Sequence, residues 1–487
     1  MTNSTATAVG LRSERGPILF ALMLTTGLIA IEATILATAV PSVVADIGEF
    51  TRFPWLFSIY LLAQAVSVPL YAKVADMVGR KPVILLGIAL FLLGSLLCGL
   101  AWDMTSLILF RLVQGLGAGA VAPMAMTIVG DIYTVEERAR VQGYIASVWA
   151  VSSVVGPTLG GVFSQFASWR WIFLVNIPLC LLAGWALLRF YRETVQKRRH
   201  RIDYAGAALL TVGLTAVILA LLEGGTAWAW TSTPSIACFA VGTVALAAFA
   251  VVERRAAEPV VDFAVLGRRL ILTTTLASLA VGALLTGITS FVPTYLEGSA
   301  GTAPLLAGLA VAALTLGWPL AASTAGRLYL RRGFRATALT GSAIALVGSV
   351  ALAVVAPWPN PITVALTAFV IGFGLGWTAS PTLIAAQASV DWAERGTVTG
   401  MNTFARSAGS AVGVAVFGAI VNTGIASGGG EHDPGTIITA FSWVFVAVAV
   451  AAGLLLLVVS TMAKDRPAPP DESSVPAPSV ARSDTAS

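Results

Sequence analysis

The sequence predicts an all-α polytopic membrane protein of about fourteen transmembrane helices, and three observations carry that expectation. Of its 487 residues 57% are hydrophobic and only 11% charged, more apolar surface than a soluble chain of this length hides in one core. Apolar runs of about 20 residues recur along the chain, each long enough to cross roughly 30 Å of hydrocarbon. Two long stretches also echo one another at a nearly constant spacing, so the spans fall into related halves.

In chain order, a polar segment 1–16 carrying Arg12 and Arg15 comes first. The apolar run behind it is too long for a signal-peptide core and reads as the first span. The candidate spans are approximately 18–40, 55–71, 82–101, 105–129, 139–163, 171–190, 204–223, 235–252, 270–295, 304–325, 336–356, 361–387, 398–422 and 437–462. An even number of spans puts both termini on one side. Of the Lys and Arg residues, Arg52 and Arg170 fall in loops of the opposite side, Arg111 and Arg406 fall within spans, and all the others lie on the side of the termini. That asymmetry predicts cytoplasmic termini and a multi-pass protein of the cell (inner or plasma) membrane. The basic runs "RFYRETVQKRRHR" and "RRGFR" are thereby topology determinants rather than a nucleic-acid surface. Residues 465–487, rich in Pro and Ser, read as a disordered cytoplasmic tail.

The repeat divides the chain further. "EERARVQG" (136–143) matches "AERGTVTG" (393–400), pairing Glu137 with Glu394 and Gly143 with Gly400. At the same spacing Gly115, Gly117 and Gly119 fall on Gly372, Gly374 and Gly376, and "AKVADMVGRK" (72–81) echoes "GRLYLRRGFR" (326–335) through Gly79 and Gly333. The expected organisation is a six-helix bundle at 17–192, a linker 193–267 holding two extra spans, and a second six-helix bundle at 268–464.

Parallel six-span halves are an architecture of the major facilitator superfamily, and the motifs bring the resemblance closer. "AKVADMVGRK" resembles the family's signature loop between spans 2 and 3 through Asp76, Gly79, Arg80 and Lys81, with Ala72 and Met77 in place of the usual Gly and Arg. "RLVQGLGAG" resembles the span-4 motif of proton-driven members through Arg111, Gln114, Gly115 and Gly117. "GPTLGG", with Gly156, Pro157, Gly160 and Gly161, resembles the span-5 antiporter motif. "WRWIFLVNIP" (169–178) and "IEATILATAVP" (31–41) resemble segments of the fourteen-span drug:proton antiporter branch, the latter with Glu32 where Asp is commoner. The resemblance implies a proton-coupled exporter of small amphipathic compounds, of the multidrug-efflux and antibiotic-resistance kind. Its partners would be a small-molecule substrate, protons and the lipid bilayer, with no cofactor, no nucleic acid and no obligate protein partner. A dedicated exporter of one metabolite or antibiotic is an alternative, and a non-transporting ligand sensor is another.

Physical chemistry gives the motifs separate tasks. Proline removes a backbone donor and bends a helix, while small residues allow close helix approach. Gly156 and Gly160, four apart, lie on one face, suited to a sliding interface between the halves. The competing reading is a plainly packed, kinked helix. Glu32 is the one carboxylate placed deep in a span, about 13 Å below the outer end, and Arg111 lies about 9 Å below the same surface. An intramembrane charge has a partner or a function. Two roles stay open for Glu32: proton carrier, or static partner of Arg111. Arg111 itself keeps its proton and acts electrostatically.

The resemblance further implies that Asp76 approaches a helix N-terminus of the opposite half, while Arg80 pairs with an acid such as Asp131, latching the outward-open state. Ordinary topology charges are the bland alternative. Tyr60, Gln64, Trp149, Phe291, Tyr295, Trp377 and Asn402 are candidates for a central cavity, and Glu297 would add negative charge at the outer end of span 9. The sequence holds no GxxxxGK[ST] phosphate loop. His200 and His432 fall in loops, Cys98, Cys180 and Cys238 are dispersed within spans, and no nucleophile–base pair or metal-ligand cluster stands out. The chain is therefore not expected to be an enzyme.

Overall fold

The computed structural model describes residues 10–463 apart from 134, 194–202, 257–258, 392–393, 429 and 431–432. The expected disordered tail, His200 and His432 lie outside the described residues. Fourteen helices are long and apolar enough to cross a membrane, and no β-strand occurs among the described residues. They are α1 (Gly16–Ile35), α2 (Phe53–Val78), α3 (Arg80–Gly99), α4 (Met104–Ile132), α5 (Val135–Phe166), α6 (Trp171–Phe190) and α7 (Tyr204–Glu223). Then follow α8 (Thr233–Glu253), α9 (Arg269–Ala300), α10 (Pro304–Arg332), α11 (Phe334–Val355), α12 (Pro361–Ala388), α13 (Arg395–Ser427) and α14 (Pro434–Ser460).

Local chemistry sets the ends of these helices. Asp103, Asp203, Asn360 and Asp433 cap α4, α7, α12 and α14 by accepting backbone N–H groups of the first turn, which otherwise lack partners. Gly79 closes α2 at φ 112° and Gly333 closes α10 at φ 88°. Both stand where the chain must reverse in a conformation that L side chains resist.

The two glycine runs share one packing role. A Cβ on Gly115 would strike Tyr60 and Ala63 of α2, and one on Gly117 would strike Phe91 and Gly87 of α3. In the second half, Gly372 abuts Leu314 of α10 and Gly374 abuts Ala345 and Gly341 of α11. Thus α4 lies between α2 and α3 as α12 lies between α10 and α11.

The halves meet at the end away from the termini. There Phe53 of α2 stacks edge-on against Phe291 of α9, with ring centroids 5.4 Å apart. Asn422 of α13 donates to the carbonyl of Thr51 (2.7 Å), and Ser58 donates to that of Ala411 (3.2 Å). Toward the middle of the bilayer, Thr315 of α10 donates to the carbonyl of Ser153 of α5 (2.7 Å). One apolar core runs through both halves at the far end. Nearer the termini the core divides into a first-half cluster around Leu19, Ile84 and Tyr191, and a separate cluster joining the extra helices to the second half.

The extra hairpin α7–α8 therefore has two attachments. Leu210, Phe249, Val261 and Val265 pack with Ile271, Val390, Val398 and Met401 of the second half. At the tip of α7, Leu222 sits in the far-end core, and Trp55 of α2 donates its indole N–H to Glu223 at 2.8 Å.

Gly161 of α5 marks a tight seam, because a Cβ there would fall 2.7 Å from the Cα of Leu305. A side chain has nowhere to go but between the halves. We expect Gly161→Leu to part the far end while each bundle stays folded. The check is thiol labelling by an impermeant reagent at a Phe291→Cys reporter, with the native cysteines replaced. Labelling should rise sharply when Gly161→Leu is added.

Candidate functional site

Five helices of the first half converge on one buried charge pair. Glu32 of α1 and Arg111 of α4 are each 2% exposed, and Arg111 Nη1 donates to Glu32 Oε1 in a direct ion pair. Two further bonds hold the guanidinium. Nε donates to the carbonyl of Leu56 of α2 (3.0 Å), and Nη1 also reaches Gln114 Oε1 (2.6 Å). Its plane lies over the ring of Tyr60, 4.1 Å from the centroid, a favourable position for a cation above a π face.

Around this pair runs an uncharged shell. Gln114 Nε2 donates to Ser95 Oγ of α3 (2.9 Å), and Asn176 Nδ2 of α6 donates to Glu32 Oε2 (2.9 Å) and to Ser95 Oγ (3.4 Å). Gln114 and Asn176 are fully buried. Both carboxylate oxygens of Glu32 are therefore held, one by a cation and one by an amide. Burying two ions in a low-dielectric interior is tolerable only with such complete pairing.

The surrounding sequence explains why these side chains meet. The close contact of Gly115 with α2 brings the Leu56 carbonyl and Tyr60 to Arg111. At the entry to α6, Asp46 accepts from Arg170 (2.7 Å) and from the Trp169 indole (3.0 Å), and these bonds hold its carboxyl below the usual carboxylate range. Arg170 also donates to the Ala101 carbonyl (3.2 Å). This brace sets where α6 begins, so that Phe173 flanks Arg111 at 5.9 Å and Asn176 reaches Glu32. Sequence reasoning set Glu32 and Arg111 at compatible depths and named Gln114 only as a motif residue, and it missed Ser95 and Asn176. The signal for Asn176 was an isolated amide within the apolar run "WIFLVNIPLCLL".

The signature loop braces its own bundle. Arg80 pairs with Asp76 (2.7 Å) and with Asp131 (3.2 Å), and Lys81 Nζ donates to the carbonyls of Leu188 (3.0 Å) and Tyr191 (2.6 Å) at the end of α6. The Lys81 backbone N–H donates to Glu193 (2.7 Å). The expected pairing of Arg80 with Asp131 is present. These bonds join parts of one half.

The span-5 motif requires a correction. Gly156 and Gly160 face α1 within their own half, against Thr34 and Thr38. The face turned to the other half is the next one round the helix: the Pro157 carbonyl lies against Gly308, and Gly161 lies against Leu305. The glycine pair thus seats the Glu32 helix, while Pro157 and Gly161 form the interface between halves.

The cavity candidates do not come together. Phe291 and Tyr295 are fully buried. Phe291 joins Phe53, Phe417 and Phe441 in the far-end plug, and Tyr295 donates to the Ala356 carbonyl (2.5 Å). Asn402 ties α13 to α9 by accepting from Ser278 (2.7 Å). Trp377 donates to Thr324 (2.9 Å) and packs on Phe373. Trp149 is 46% exposed and Gln64 half-buried, while Tyr60 belongs to the charge cluster. Aromatic character marked these positions, but membrane helices use the same residues for packing.

Comparison with known proteins adds an independent line. A family model described as Major Facilitator Superfamily matches residues 22–414. "Multidrug resistance protein 3" of Bacillus subtilis is 33% identical over 391 residues, covering 80% of this chain and 76% of its own. "Multidrug transporter protein MdtP" of the same organism is 30% identical over 413 residues, covering 85% and 76%. "Efflux pump FUS6" of Gibberella moniliformis is 31% identical over 414 residues, covering 83% and 74%. Among solved structures, a POT family transporter in complex with 5-aminolevulinic acid superposes with a TM-score of 0.68 at 14% identity, covering 92% of this chain and 97% of its own. At that identity the likeness concerns the fold alone.

The pair makes a thermodynamic prediction. Removing one partner of a buried ion pair costs about 3–5 kcal/mol, because the other charge is left uncompensated. Arg111→Met should therefore lower the unfolding temperature in detergent markedly. The double variant Glu32→Gln/Arg111→Met should be less destabilised than Arg111→Met alone, in a double-mutant cycle with Glu32→Gln.

Proposed function

Because the chain belongs to the Major Facilitator Superfamily and is a multi-pass membrane transporter rather than an enzyme, we propose that it exports small amphipathic compounds in exchange for protons, with Glu32 as the proton carrier. The observation that carries this reading is the buried Glu32–Arg111 pair. Glu32 is a titratable group enclosed in the bundle, opposite a cation that keeps its charge throughout. The efflux class is supported by the relatives named for multidrug transport and efflux.

The mechanism follows from charge. In the conformation described, Arg111 and Asn176 donate to the two oxygens of Glu32. A proton on Glu32 removes the negative charge and weakens the hold of Arg111 on α1. The Gly156–Gly160 face seats α1 on α5, and α5 in turn carries Pro157 and Gly161 at the seam with the second half. A change in the grip on α1 thus has a direct packing route to the interface between halves. With the termini read as cytoplasmic from the basic residues, a far end closed by the shared aromatic core corresponds to an inward-facing state.

The energetics suffice with a single carboxylate. A proton entering down 100 mV supplies about 2.3 kcal/mol, and one favourable pH unit adds about 1.4 kcal/mol. Together they hold a neutral substrate at a gradient of several hundredfold, since each 1.4 kcal/mol is worth about a factor of ten.

Efflux of a fluorescent lipophilic cation from cells lacking their own pumps tests the proposal. Wild-type efflux should be abolished by a protonophore, and Glu32→Gln at equal expression should fall to the level of cells without the protein. Efflux surviving in Glu32→Gln makes the pair a static one. Absence of efflux from the wild type turns the search to a dedicated exporter or a sensor.

A further inference from the structure

We propose that Asn176 turns its side-chain amide over when Glu32 gains a proton, donating to the carboxylate in one state and accepting from the carboxylic acid in the other. The proposal rests on the reading of Glu32 as proton carrier and names the residue that answers to its charge state.

The amide is half used in the present conformation. Asn176 is fully buried, and its Nδ2 donates to Glu32 Oε2 at 2.9 Å and to Ser95 Oγ at 3.4 Å. Its Oδ1 is buried with no hydrogen-bond partner. A buried amide oxygen without a donor is unfavourable and calls for a reason. The neighbouring acid supplies one. Arg111 occupies Oε1 of Glu32, so an arriving proton binds Oε2, the oxygen that faces Asn176. That would set an O–H against an N–H, two donors with no acceptor between them.

A half-turn of the amide removes the conflict. The terminal torsion of an asparagine side chain is broad and roughly two-fold, so the turned amide occupies the same space and presents Oδ1 where Nδ2 had been. Ser95 can follow, because a hydroxyl both donates and accepts: it accepts from Nδ2 before the turn and donates to Oδ1 after it. Arg111 stays on Oε1 throughout. In the step one O–H bond forms, between the incoming proton and Oε2. No covalent bond in the protein breaks, and the negative charge of Glu32 is neutralised.

The other groups around Glu32 do not compete for this task. Arg111 faces it from α4, and Tyr60 of α2, Cys98 of α3 and Cys180 of α6 are electrostatically coupled to it. From α5 the approach is through Gly156 against Thr34, two residues from Glu32. Of the side chains bonded to the carboxylate, Asn176 alone carries both a donor and an acceptor. An aspartate or lysine at 176 would suit one protonation state at the expense of the other, and a leucine neither.

Infrared spectroscopy of the purified full-length protein over a pH series tests the idea. Wild type should show a carboxylic-acid C=O band at the low wavenumber of a hydrogen-bonded acid, absent from Glu32→Gln. In Asn176→Leu the band should move to the higher wavenumber of an acid without an acceptor. In Asn176→Thr, whose hydroxyl donates and accepts, the band should stay near its wild-type position; this variant also serves if the leucine variant does not fold. A band unmoved in Asn176→Leu, or moved equally far in Asn176→Thr, overturns the role of Asn176 while leaving Glu32 as carrier. No band dependent on Glu32 overturns the carrier reading itself, and the present proposal with it.

Discussion

A carboxylate and a guanidinium sharing the interior of a membrane bundle set the strictest condition in this molecule. Neither charge has water to fall back on, so every donor of Arg111 and both oxygens of Glu32 compete for protein partners. Meeting that condition requires a carbonyl from α2, an amide and a hydroxyl from α4 and α3, and a second amide from α6. It also requires those helices to lie close enough together, which the glycines of α4 and α5 permit. Much of the first half is arranged as the solvent shell of one ion pair.

The second half is built on the same plan but, among the described residues, holds no equivalent pair at its centre. Its glycine run on α12 and its turn at Gly333 occupy the places of their first-half counterparts. Its central polar contacts are neutral, such as Ser278 with Asn402 and Thr286 with Ser410. The division is physically reasonable. One half gathers its charges into a bonded pair, while the other carries Arg406 within α13 and Glu297 within α9, and the aromatic rings of Phe53, Phe291 and Phe417 close the far end.

The fold was legible because the bilayer simplifies the problem: length and apolarity alone delimit a span. The depth of Glu32 and Arg111 followed from the helical rise per residue, and a buried charge demands a partner, so their meeting was legible as well. Asn176 and Ser95 were not, since a single amide or hydroxyl in a span has many tolerable positions and only the packing angle selects one. The error over Gly156 and Gly160 has a related origin. A four-residue spacing identifies a shared face but not which neighbour that face meets, and the interhalf seam lies one residue further on, at Pro157 and Gly161. Phe291 and Tyr295 misled for a third reason: aromatic residues fill a sealed plug as readily as they line an open vestibule.

The two-helix hairpin carries an implication for turnover. Its base is embedded in the second half, yet its tip grips the first through Trp55 and Glu223 and lodges Leu222 beside Pro54 and Gly418. The far end thus cannot swing open unless that indole–carboxylate bond parts or the hairpin's tip slides along α2. Either event is slow relative to side-chain rotation. The hairpin is therefore a tether across the closed face, supplied by two helices that hold neither charge of the central pair.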